Sequence, residues 1–165
     1  MQLKYLIFFL VVISFSNILY GYASPWTPCE EIETLGTVTN FTLDDCDSEM
    51  CKLQAGQNVT GRVTFVSSVD SSSLTISMKA IIFCLEFNYP SIETDACKSS
   101  GVECPIEAES TVTFPLTVTV PNICHKVKKS VATLEMFDER GKHLVCINIQ
   151  TQIYHKSKPK GYRKK

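Results

Sequence analysis

The sequence predicts an all-β domain, an immunoglobulin-like antiparallel β-sandwich, on three observations. Apolar residues recur with period two in short runs rich in Val, Ile, Thr and Phe, and helical periodicity is almost absent beyond Ala23. Clusters of Ser, Asp, Gly and Pro, the residues that turn a chain, separate those runs. Six or seven such strands, with no repeat or internal boundary, suit one domain of two packed sheets.

The chain opens differently. Lys4 precedes the apolar run Tyr5–Ser14, a second patch spans Ile18–Tyr22, and Gly21-Tyr22-Ala23 has the small-x-small ending that signal peptidase prefers. Ser14, Ser16 and Asn17 interrupt the run, which falls short of the ~20 apolar residues of a membrane span. Residues 1–23 are therefore expected to be a signal peptide, with the domain at 24–154 secreted.

Within the domain, Glu31–Phe41 is the first and least regular strand. Asn58–Val66 sets Val59, Gly61, Val63 and Phe65 on one face against Asn58, Thr60, Arg62 and Thr64. Ser67–Ser73 reads as a hairpin loop. Leu74–Phe83 groups Leu74, Ile76, Met78, Ala80 and Ile82. From Ile81 to Tyr89, "IIFCLEFNY" is apolar on both faces before Pro90 ends the strand, which implies either cover on both sides or a cavity border. Thr111–Val120 and Ser130–Phe137 follow. Asp138–Gly141 is a hairpin loop with Gly141 in the left-handed position, and Val145, Ile147, Ile149, Thr151 and Ile153 share the last inward face.

Chemistry is sparse. All eight cysteines follow Ala23, so an oxidising compartment implies four bridges among 105 pairings. Their spacings lack the two-residue gaps of zinc knuckles and of redox motifs. His125, His143 and His155 lie beside or near lysines in loop or tail settings. No nucleophile elbow, zinc-protease helix or phosphate loop occurs, so no enzyme, metal or cofactor is expected. Asp44, Asp45 and Asp47 read as a solvated turn in a tight cysteine loop.

Ser24–Tyr154 carries 9 basic and 17 acidic residues, a net of −8, which argues against nucleic acid. The tail 155–165, "HKSKPKGYRKK", has six basic residues and no acid. It is expected to be disordered and suits anionic lipid headgroups or glycosaminoglycans. Asn40-Phe-Thr and Asn58-Val-Thr are N-glycosylation acceptors, with Asn58 on the polar face of its strand.

The cysteine framework resembles the secreted lipid-recognition (ML) domain family, most like its Niemann–Pick type C two sterol-carrier and group two mite allergen branch. The similarity is carried by "PCEEIETLGTVTNFTLDDC", "CKLQAG", "RVTF", "YP" upstream of "DACKSSGVECPIE", and "FDERGKHLVCINIQTQI", from Pro28 to Ile153. The resemblance implies bridges Cys29–Cys146, Cys46–Cys51 and Cys97–Cys104, the last stapling a loop at the end of the sandwich. Cys84 and Cys124 depart from the family pattern, and a fourth bridge between them is the hypothesis they suggest.

The resemblance further implies two sheets splayed around an apolar lipid, with Val59, Val63, Phe65, Met78, Ile82, Phe87, Tyr89, Pro90, Ile147 and Ile149 along the pocket. The Tyr89 hydroxyl and Glu86 are candidate polar determinants at its mouth, and 111–129 aligns too poorly to yield sites. The implied function is a monomeric carrier of a sterol, fatty-acyl lipid or other hydrophobic molecule, extracellular or lysosomal. Alternatives are an innate-immune module presenting bacterial lipid, or a carrier of small apolar signals. A receptor partner should leave an exposed apolar patch, which a free carrier need not have.

Overall fold

A computed structural model describes residues 24–46, 48–83, 85–89, 95–99, 101–123 and 126–155. Residues 1–23, Cys84, Pro90, Cys124, His125 and the tail beyond His155 lie outside the described residues. Within them the chain forms a β-sandwich. Its strands are β1 (Trp26–Pro28), β2 (Gly36–Leu43), β3 (Cys51–Gln54), β4 (Asn58–Ser67), β5 (Thr75–Ile82), β6 (Leu85–Asn88), β7 (Thr111–Thr119), β8 (Val127–Phe137) and β9 (His143–Tyr154), with one helical turn, α1 (Ala96–Ser99).

The larger sheet runs β1-β9-β8-β5-β6, and the smaller runs β2-β4-β7. β1 and β3 share one edge of β9. β1 pairs antiparallel along Ile147–Ile149 and β3 parallel along Thr151–Tyr154. Side-chain alternation puts the expected residues inward: Val59, Val63 and Phe65 on β4, Ile76, Met78, Ala80 and Ile82 on β5, and Ile147, Ile149 and Ile153 on β9 are buried. Gly61 shares the inward face of β4, where a Cβ would run into the Thr42 carbonyl and meet Leu43 Cδ1 at 3.0 Å.

Among the described residues three bridges are present, Cys29–Cys146, Cys46–Cys51 and Cys97–Cys104. The first joins residues 117 apart, for which the loop-entropy relation gives about 5 kcal/mol. The Cys97–Cys104 loop sits where β5 begins: Ala96 N–H donates to the Leu74 carbonyl at 2.9 Å, and Ile106 bridges to Ser71.

Several expectations need correction. Ser67–Ser73 is a crossover from β4 of the small sheet to β5 of the large one, not a hairpin loop. Ser67 and Ser71 are buried in it, and their hydroxyls donate to the Val69 and Ser73 carbonyls, each at 2.7 Å. These bonds satisfy the two buried hydroxyls, while Ser68, Asp70 and Ser72 stay exposed. His143 is not a loop residue. It opens β9 directly after the hairpin, with its ring 4.5 Å from Phe137 and Nε2 3.3 Å from Glu135, which also pairs with Lys79 at 3.5 Å.

The stretch "IIFCLEFNY" is neither covered on both sides nor wholly a cavity border. It forms the β5–β6 hairpin, with Ile81 52%, Phe83 63% and Leu85 62% exposed. Leu85 and Phe87 stand opposite the buried Ile82 and Ala80, so they point inward. They remain exposed because β6 is the edge of the larger sheet and overhangs the three-stranded one.

Candidate ligand-binding site

A cavity lies between the sheets in the half of the sandwich that holds the ends of β5 and β9. The small sheet contributes Leu43 from β2, Val59 from β4, and Leu116 and Val118 from β7, with Val120 just beyond. The large sheet contributes Leu53, Met78, Ala132, Ile149, Thr151 and Ile153, and Tyr89 closes the wall just past β6. Its volume is about 20 Å³, room for about one water molecule.

The wall is almost wholly apolar. Thr151 is already engaged, its hydroxyl 2.6 Å from that of Ser130. Tyr89 supplies the other polar group, and burial pushes its hydroxyl up to about 12, so it stays neutral and able to donate at any physiological pH.

Of the residues expected along the pocket, Val59, Met78, Tyr89 and Ile149 line this cavity. Val63, Phe65, Ile82 and Ile147 are fully buried but belong to the surrounding core. For Val63 and Phe65 the reason is depth. Val59 and Phe65 share a face, yet six residues of strand separate them by roughly 20 Å, and the cavity occupies one half of the seam. Phe87 is 36% exposed on the overhang beside it. Glu86 pairs with the outward Ile81 and so faces away from the cavity, which removes it from the mouth.

Sequence reasoning left Leu43, Leu53, Leu116, Val118, Val120 and Ala132 off the pocket, and placed Thr151 and Ile153 on the inward face of the last strand without assigning them to it. Alternation in Thr111–Val120 and Val145–Ile153 carried the signal for five of these; Leu53 lies on a strand too short to show it. Asn40 and Asn58 are exposed on the small sheet, where the Thr119 hydroxyl donates to Asn58 Oδ1 at 2.8 Å.

The chain matches the family model of the ML domain over residues 23–153. It is 34% identical over 118 residues to the mite group 2 allergen Gly d 2.02 of Glycyphagus domesticus, covering 72% of this chain and 91% of that protein. It is 29% identical over 119 residues to NPC intracellular cholesterol transporter 2 of Canis lupus familiaris, covering 72% of this chain and 78% of that one. In fold it resembles the crystal structure of a Niemann-Pick type C2 protein from Japanese carpenter ant. The TM-score is 0.68 at 18% identity, covering 78% of this chain and 98% of that chain. With the match running across both sheets, from ahead of β1 to the end of β9, the chain belongs to the ML-domain family.

Proposed function

We propose that the protein is a secreted carrier that captures and transfers a sterol or another hydrophobic lipid between its two β-sheets. The observation that carries this reading is a seam lined from both sheets by aliphatic side chains, with Tyr89 as its one polar group not already hydrogen-bonded to a neighbour. Burying a lipid there gains roughly 25 cal/mol for each Å² of apolar surface removed from water. Ligand pockets of drug-sized molecules occupy about 300–1,000 Å³, so a seam of about 20 Å³ must part to admit one. Parting is least obstructed along β6 and β7, the strands that end the two sheets.

The mechanism is capture without conversion, so selectivity rests on cavity shape and on the Tyr89 hydroxyl. Phe87 and Pro90 belong to the entrance in this reading, and Cys84–Cys124 to a tie across it. Mass spectrometry of an organic extract of the secreted protein tests the proposal. A stoichiometric sterol or acyl lipid is expected. An empty extract, together with no uptake of fluorescent sterol or fatty acid, would overturn it.

A second reading, presentation of a bound lipid to a receptor, is favoured by the exposed Ile81, Phe83 and Leu85. A receptor would bind the lipid-loaded protein and protect this hairpin from hydrogen exchange.

A further inference from the structure

The wall of the cavity carries one polar feature besides Tyr89. Thr151 lies on it, and the Ser130 hydroxyl sits 2.6 Å from that of Thr151. Both residues are 4% exposed. They are register partners on β8 and β9, and the large-sheet wall beside them is aliphatic, formed by Leu53, Ala132, Ile149 and Ile153.

A bulge puts Ser130 there. Val127 pairs with Ile153 and Ser130 with Thr151, so three steps along β8 answer two along β9. The extra residue leaves Lys128 and Lys129 both exposed and turns Ser130 inward. Strict alternation from Val127 would have set Lys129 opposite Thr151.

The fold has little need of this pair. Replacing both partners of a buried hydrogen bond by apolar groups of the same shape is nearly neutral for stability. What the hydroxyls add is hydrogen-bonding capacity. Together they hold two hydrogens and four lone pairs, and their mutual bond uses one of each. When Ser130 donates, the Thr151 hydrogen is left with the Ser130 carbonyl at 3.4 Å. A closer oxygen in the cavity would displace so long a contact.

The chemistry of that oxygen is constrained. No Lys, Arg or His lines the cavity, so a carboxylate there would be an unpaired buried charge. A neutral hydroxyl can accept from Thr151 and also donate to a free lone pair of the Ser130–Thr151 pair.

Its position is constrained too. Tyr89 is hydrogen-bonded to Met78, at the level of Leu134 on β8. Thr151 stands at the level of Ser130, four residues or roughly 13 Å along β8, with β5 and β8 between β6 and β9. The two polar features therefore occupy opposite corners of the large-sheet wall. A ligand that enters along β6 with one oxygen at Tyr89 points its far end at Thr151.

We infer that Ser130 and Thr151 form a polar subsite in the cavity, which selects ligands carrying a second, neutral hydroxyl at the end remote from Tyr89. A sterol hydroxylated on its side chain and a long-chain terminal diol have this form. The inference rests on the carrier reading and narrows its ligand class. The selection is moderate, because the pair satisfies itself when the ligand brings no second hydroxyl.

The test is equilibrium dialysis of the full secreted chain against two matched pairs of radiolabelled ligands: cholesterol and its side-chain-hydroxylated form, and hexadecanol and its terminal diol. The wild type is expected to bind the doubly hydroxylated member of at least one pair about tenfold more tightly. Ser130→Ala combined with Thr151→Val, and Thr151→Val alone, should bring that ratio to parity or below while the singly hydroxylated ligand still binds. Thr151→Ser, which keeps the hydroxyl, should keep the preference. A purely structural role would move both affinities together and leave the ratio unchanged.

Equal binding of both members of each pair by the wild type, or a preference that survives in the Thr151→Val variants, overturns the subsite and leaves the carrier reading standing. Failure of the wild type to bind any of the four ligands overturns the carrier reading and the subsite with it.

Discussion

Tyr89 donates its backbone N–H to the carbonyl of Met78 at 3.0 Å, and both side chains line the same cavity. This bond carries the β5–β6 pairing one residue past β6, so the Tyr89 ring is held against the large sheet while its neighbours on the hairpin stay exposed. The wall of the seam and the exposed hairpin are therefore one continuous piece of chain.

Tyr89 gives a pH signature. Burial raises its hydroxyl from 10.0 to about 12, so the folded state retains a proton that the unfolded chain releases. The contribution is fully present below pH 10 and is lost as pH rises through about 12. Tyr89→Phe removes this dependence. At pH 12 the wild type should have lost about 2 kcal/mol through this group. Urea unfolding of both proteins at pH 8 and in steps above pH 10 measures the difference, and parallel curves would exclude a buried Tyr89.

The seam and the core should respond differently to substitution. Val118→Phe enlarges a side chain on the cavity wall and is expected to reduce uptake of fluorescent lipid severalfold, with a stability change of about 1–3 kcal/mol. Phe65→Ala empties a fully buried site away from the wall. It should cost about 3–5 kcal/mol while the surviving folded protein keeps its uptake per molecule. Equal loss of uptake in both would mean that the ligand space extends to the Phe65 end.

The Cys29–Cys146 bridge ties the segment after β1 to β9, and the Cys29 N–H also donates to the Cys146 carbonyl at 3.1 Å. Replacing both cysteines by Ser leaves that backbone bond available but frees a loop of 117 residues. The expected loss is about 5 kcal/mol, or roughly 10–20 °C in Tm. Scanning calorimetry of the double variant measures it. A shift of only a few degrees would mean that the unfolded chain is already compact without the bridge.

Much of this architecture is legible in the sequence because period-two patterning survives wherever a strand is long and one face is buried. β4, β5 and β9 show it, and the apolar residues the pattern selects on them are buried, although β9 is buried on both faces at Leu144–Ile147. β1, β3 and β6 are three or four residues long, too short for alternation to register. Facing is legible but depth is not. Val59 and Phe65 read alike in sequence, and only the cavity beside Val59, Leu116, Val118 and Val120 at one end of the small sheet separates wall from core. The exposed hairpin ran against the pattern for a related reason. Inward-facing Leu85 and Phe87 are covered only if the opposing sheet is wide enough, and sheet width depends on strands elsewhere in the chain.

The β8–β9 hairpin supplies the clearest acid-sensitive element. Gly141 turns the loop at φ +73°, and the Asp138 side chain, wholly buried, accepts the Arg140 and Lys142 N–H groups at 2.9 and 2.8 Å. Arg140 adds its Nε at 2.8 Å and Nη2 at 2.7 Å. Burial alone would raise the Asp138 carboxyl, but hydrogen bonds from Lys142 and Arg140 outweigh it and hold the group below its ordinary 3.8. A carboxylate depressed in the folded state stabilises above its unfolded pKa, and that stability is lost as pH falls through the lower folded value. Asp138→Ala is expected to cost about 2–4 kcal/mol at neutral pH, because it strands the loop N–H groups as well as removing the ion pair. Below about pH 4 the gap between wild type and variant should narrow. Urea midpoints of both proteins between pH 7 and pH 2 measure this. A gap that stays constant to the lowest pH would assign the loss to packing of the loop instead of to the charge on Asp138.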